Sequence, residues 1–228
     1  MKIVSYLEGS VSWNAAWDEL RPLVGAPHQL VMASLQAVFG FSEAGASPTA
    51  ATQNLMTPYL RFGSTISEPQ ISINGVDFQA DRVVASSSRT DLAEQALLQI
   101  VEYLQATFGF RQPPDERTYN YHSTIIFDPE SDIEASFHAP WGPLLDKFKQ
   151  APEEDISSLS AFGMRFFPAN PAITAESVFT IEKRVPCPPG ENWWFSTGPF
   201  TTDFHEQLLV AISQCGHEIK SEMLQPTR

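Results

Sequence analysis

Residues 90–97 read Thr-Asp-Leu-Ala-Glu-Gln-Ala-Leu, and residues 202–209 read Thr-Asp-Phe-His-Glu-Gln-Leu-Leu. Each places an Asp where a carboxylate accepts from the unpaired amides of a helix start. A Glu follows three residues later, where it can reach back to the cap. Behind the first, Leu97, Ile100, Val101, Leu104 and Phe108 recur at helical spacing until Gly109 ends the pattern. Behind the second, Phe204, Leu208, Ala211, Ile212 and Cys215 form the expected inner stripe. The pattern therefore predicts two amphipathic helices, capped by Asp91 and Asp203.

Strand patterns precede both helices. Ile71 and Ile73 alternate with polar residues, Asn74-Gly75 intervenes, and Val76, Phe78 and Ala80 alternate again. Asn-Gly tolerates positive φ, so a type I′ hairpin is expected there. Ahead of the second helix, three strands are expected from Phe162/Met164/Phe166, from Phe179/Ile181/Val185, and from Trp193 to Thr197. Between the two sets, Tyr119, Tyr121, Ile125 and Phe127 alternate with Thr118, Asn120, His122 and Thr124, the signature of a half-buried strand. A helical stretch is expected over about 133–150, with Leu144, Leu145 and Phe148 inward. The fold class is thus α+β, an antiparallel sheet covered by amphipathic helices. Two similar strand–strand–helix halves fit the pattern, although shared capping chemistry alone explains the common Asp and Glu.

Towards the amino terminus, Ser12 reads as the cap of a helix carrying Trp13, Trp17, Leu20 and Val24. A second helix begins near Pro27, carries Leu30, Val31, Leu35, Val38 and Phe39, and stops at Gly40. Residues 42–58 show no period and read as a long loop. The expected organisation is a mainly helical segment, 1–62, packed on an α+β main domain, 63–228.

The chain has 228 residues, with 14 Lys and Arg against 27 Asp and Glu, a net charge of −13. No basic face exists to displace phosphate counterions, so direct nucleic-acid binding through such a face is not expected. From Pro22 to Leu60 the only charge is Glu43. Pro27, His28, Gln29, Gln36 and Gly40 interrupt that stretch, so no membrane span is expected from it. Two cysteines suit a reducing compartment, and the expected location is cytoplasmic.

Chemistry-bearing patterns are sparse. Asp128, Glu130 and Asp132 place alternate carboxylates after the His122 strand, as ligands for a hard cation would be placed. Ile133 and Ala139 stand where a calcium loop needs Gly and Glu, so a solvated turn is the simpler expectation. Cys187, His205, Cys215 and His217 have zinc-ligand types without zinc spacing. No glycine-rich phosphate loop or other cofactor motif occurs, and no cofactor is expected. On a strand, Trp193 and Trp194 point to opposite faces, and an outward indole is a common binding anchor. The sequence therefore favours a non-enzymatic binding or regulatory protein that meets a protein partner, or itself as a homodimer, through Trp193 or Trp194. The alternatives are an enzyme with a carboxylate or metal site near His122 and Asp128–Asp132, and an acidic inhibitor or immunity-type protein.

Overall fold

Antiparallel pairing organises the chain. A computed structural model describes residues 1–14, 20, 27–49, 52–79, 81–111, 119–130, 133, 163–167, 177–184 and 187–223. Its strands are β1 (Lys2–Trp13), β2 (Glu43–Thr49), β3 (Thr52–Ser64), β4 (Ser72–Phe78), β5 (Val83–Ser87), β6 (Tyr119–Asp128), β7 (Gly163–Phe166), β8 (Phe179–Lys183) and β9 (Trp194–Gly198). Its helices are α1 (His28–Phe39), α2 (Thr90–Phe108) and α3 (Thr202–Met223). The strands form one sheet in the order β2-β3-β4-β5-β1-β6-β9-β8-β7. This is the expected α+β class. Among the described residues, no helix is long and apolar enough to cross a membrane.

The chain divides into two compact units, one of residues 7–123 with 200–202, the other of 1–6, 124–199 and 203–228. In the first unit, β2 to β5 form a meander, and β5 pairs with β1 from Gly9↔Ser87 to Trp13↔Val83. Leu60, Val76, Val83, Ala85 and Val11 bury from the strands; Leu35 and Phe39 of α1 and Leu97, Ile100 and Leu104 of α2 bury with them. In the second unit, β7, β8 and β9 pair in succession and α3 follows. Trp194, Ile181 and Leu209 are fully buried there.

Several expectations need correction. Ser12 caps no helix. It lies in β1 between buried Val11 and Trp13, paired with Val84, so strand pairing claims Trp13. Of the other apolar residues of that expected helix, Leu20 is helical and buried, and Trp17 and Val24 lie outside the described residues. The loop expected over 42–58 is β2 and most of β3, so residues 1–62 supply strands as well as α1. Ala44, Gly45 and Ala46 carry no alternation; pairing with β3 defines that strand.

Asn74-Gly75 is not a turn. It lies inside β4, with Gly75 opposite Arg61 on one side and Ser86 on the other. Ile73 and Val76, of opposite parity, are both buried, so the phase change marks a change in which face is covered.

The helix starts also move. α2 begins at Thr90 with Arg89 at the cap position, no side chain caps it in the usual way, and Asp91 sits in its first turn. α3 begins at Thr202, with Asp203 in the first turn. The buried stripe of α3 is Thr202, His205, Leu209 and Ser213, while Phe204 is 47% exposed. Gly40 and Gly109, both left-handed, end α1 and α2 as the sequence indicated. The helical stretch expected over 133–150 lies outside the described residues apart from Ile133, which is buried.

Candidate functional site

The acidic segment after β6 is a turn. Asp128 Oδ1 accepts the Glu130 amide at 2.9 Å, and Glu130 takes a positive φ of 57°. Glu130 Oε2 lies 2.6 Å from the Met1 ammonium, and that bond holds its carboxyl below the usual range. Asp132 lies outside the described residues. His122 is half-buried on β6. Among the described residues, no three His, Cys, Asp or Glu side chains stand together as metal ligands would.

The tryptophan pair alternates as strand geometry requires. Trp194 is fully buried, with its indole N–H on Asn192 Oδ1 at 3.1 Å. Trp193 is half-buried. Its indole N–H donates to Glu191 at 3.1 Å and Arg184 lies over its ring at 5.6 Å. Its amide donates to Cys187 Sγ, which in turn donates to the Glu191 carbonyl at 3.1 Å. Trp193 and Cys187 are therefore parts of one local turn.

Two polar clusters carry no signal in the sequence pattern. His205 is fully buried on α3, with Nε2 2.8 Å from Ser196 Oγ and its ring edge-on to Phe179. Ser196 is fully buried as well and donates to the Thr180 carbonyl at 2.9 Å. A Ser–His pair this enclosed offers no approach to a substrate, and it serves the core. In the other unit, Arg61 bonds Asp77 at 2.8 Å and lies over the Tyr59 ring at 4.9 Å. Its guanidinium also donates to the Leu60 and Val76 carbonyls, so it ties β3 to β4.

The feature that packing does not explain is the outer face of α1. Its inner side is conventional: Val31, Met32, Leu35 and Phe39 are buried. Phe39 meets the Tyr103 ring edge-on, and Ser34 bonds the Tyr103 hydroxyl at 2.6 Å, fixing α1 to α2. The twelve residues of α1 include no Asp, Glu, Lys or Arg. Leu30 is 55% and Val38 41% exposed, with Ala33 and Ala37 exposed between them. A surface helix ordinarily turns charged residues outward. Just past α1, the Ser42 amide donates to the Phe62 carbonyl at 3.3 Å, and Phe62 is 60% exposed with φ of 55°. A bulky non-glycine residue held in that region is uncommon. The signal is present in the sequence as the charge-poor run from Pro22 to Leu60. Until the helix is placed, that run cannot be told from a core segment.

No known protein family matches the chain, and no curated protein does.

Proposed function

We propose that this chain is a non-catalytic binding protein that acts through a protein–protein surface, seated on the outer face of α1 and Phe62. The observation that carries the reading is a helix free of acidic and basic residues that turns Leu30 and Val38 to solvent on a chain of net charge −13. Exposed apolar surface without charge is costly to solvate and is characteristic of contact surfaces. Trp193 is a weaker anchor than the sequence suggests, because Arg184 and Glu191 already engage its ring. An enzyme centred on His122 and Asp128–Asp132 has less support, since the Asp128 and Glu130 carboxylates serve a turn amide and an ammonium group.

The test is a photo-cross-linking residue placed at Leu30, with Gln95 on the exposed side of α2 as control. Irradiation in cells should give a discrete protein adduct at Leu30 and none at Gln95. An adduct-free Leu30, Val38 and Phe62 would sink the reading.

A further inference from the structure

We infer that each compact unit is completed by residues from the opposite half of the sequence, a crossed latch that makes the two units open and close as one cooperative fold. This device is independent of the α1 surface and stands or fails without it.

Element order divides the sequence between α2, which ends at Phe108, and β6, which begins at Tyr119. The units do not follow that division. The first unit takes Tyr119–Ser123 and Phe200–Thr202 from the second half, and the second unit takes Met1–Tyr6 from the first. β1 and β6 therefore each begin in one unit and end in the other. Units that fold separately are ordinarily joined through exposed linkers that few contacts cross. Here the divisions fall inside two strands, one of them beside fully buried Ser123.

The crossing residues carry interior bonds. In the first unit, Tyr119 and Tyr121 pack against the core, and the Tyr121 hydroxyl donates to Glu94 of α2 at 3.0 Å. Thr202 exchanges amide-to-hydroxyl bonds with Thr90 there, at 2.8 and 2.9 Å. In the second unit, the Tyr6 hydroxyl donates to Glu206 of α3 at 2.9 Å. The Met1 ammonium meets Glu130 at 2.6 Å, with the Met1 side chain only 6% exposed. Glu94 and Glu206 each lie four residues past the threonine that opens their helix. Each accepts from a tyrosine on a strand of the opposite half, so the latches correspond. Opening one unit withdraws part of a strand and these partners from the other. Groups left unmet in that way oppose partial opening.

Hydrogen exchange on the full chain reads the coupling at the slowest amides of α2 and α3. Ser196→Ala is a change within the second unit, and Ile100→Val removes one methylene-sized group within the first. Ser196→Ala should speed exchange in α2 by the same factor as in α3, about tenfold. Ile100→Val should likewise speed both helices equally, by roughly two- to tenfold. Acceleration confined to α3 in the one variant and to α2 in the other would overturn the inference, since the units would then open separately. Tyr6→Phe tests the crossing, because a first-half residue should loosen the helix of the second half. Exchange in α3 that is unchanged by Tyr6→Phe would overturn the latch.

Discussion

Thr90 and Thr202 exchange roles across 112 residues of sequence. The Thr202 amide donates to Thr90 Oγ1 at 2.8 Å, the Thr90 amide donates to Thr202 Oγ1 at 2.9 Å, and the two hydroxyls lie 3.1 Å apart. Each is the first residue of its helix, and each is 1% exposed. The orphan amide of one helix start is thus met by the side chain of the other, a distant substitute for an N-cap.

Replacing either threonine by valine keeps the shape and deletes the hydroxyl. Thr90→Val and Thr202→Val should each cost about 1–3 kcal/mol, because each leaves a buried amide without its acceptor. The double variant should cost less than the sum of the two, since the hydroxyls serve each other. Denaturant midpoints for the complete double-mutant cycle measure this, and strict additivity would contradict the exchange.

Tyr121 donates to Glu94 Oε2 at 3.0 Å. Burial, reinforced by that carboxylate, pushes its hydroxyl up from 10.0 to about 12. As pH rises the unfolded chain gives up this proton first. The contribution to stability is complete below pH 10 and is lost between pH 10 and about 12. Tyrosinate absorbance should show a late-titrating group that moves earlier in Glu94→Gln. Superimposable titrations of the two proteins would exclude the coupling.

Ser196 has a single proton, and its donation to the Thr180 carbonyl makes the Nε2–H of His205 the donor to Ser196 Oγ. Ser196→Ala should destabilise the fold by about 1–3 kcal/mol, since two buried polar groups lose this partner together. Ser196→Thr, which keeps the hydroxyl, should recover part of that loss. Thermal unfolding of the two variants is the measurement, and equal melting temperatures would mean that the hydroxyl is idle.

Two glycines in strands should respond differently to a methyl group. At Gly163 a Cβ would lie 2.2 Å from the Ile181 carbonyl oxygen, where no side-chain motion gives relief. Gly163→Ala should therefore part β7 from β8 at a cost of about 1–3 kcal/mol or more. At Gly75 the nearest atom is Arg61 Nη1 at 2.8 Å, the end of a flexible side chain. Gly75→Ala should displace the partly exposed Arg61 guanidinium from Asp77 and from the Leu60 and Val76 carbonyls, for about 0.5–1.5 kcal/mol. Chemical denaturation ranks the two, and the reverse order would refute the account.

What can be read from sequence follows from which forces act locally. Helix ends marked by Gly40 and Gly109, and the β8 and β9 strands, are legible because backbone preference and side-chain period agree there. The Asn74-Gly75 turn does not form because pairing on both sides of β4 outweighs a local preference that is real. β2 is invisible in the pattern because Ala44, Gly45 and Ala46 have little to alternate, and the strand is fixed by β3. The inner stripe of α3 is rotated from the expected one because His205 and Ser213 are polar by type yet face inward. Buried bonds to Ser196 and the Leu209 carbonyl allow it. The α1 surface is legible only as missing charge. Its exposure depends on which side Tyr103 and Phe41 cover, and that is a tertiary fact.

A Cβ on Gly9 would stand 2.2 Å from both the Arg89 carbonyl carbon and the Thr90 amide nitrogen. The backbone of β1 therefore touches the peptide that opens α2, with no room for even a methyl group between them. Position 9 acts as a filter on inheritance. Descendants of this chain can vary the residues around that crossing, but any that acquires a side chain at position 9 must first relocate the start of a helix far along the sequence.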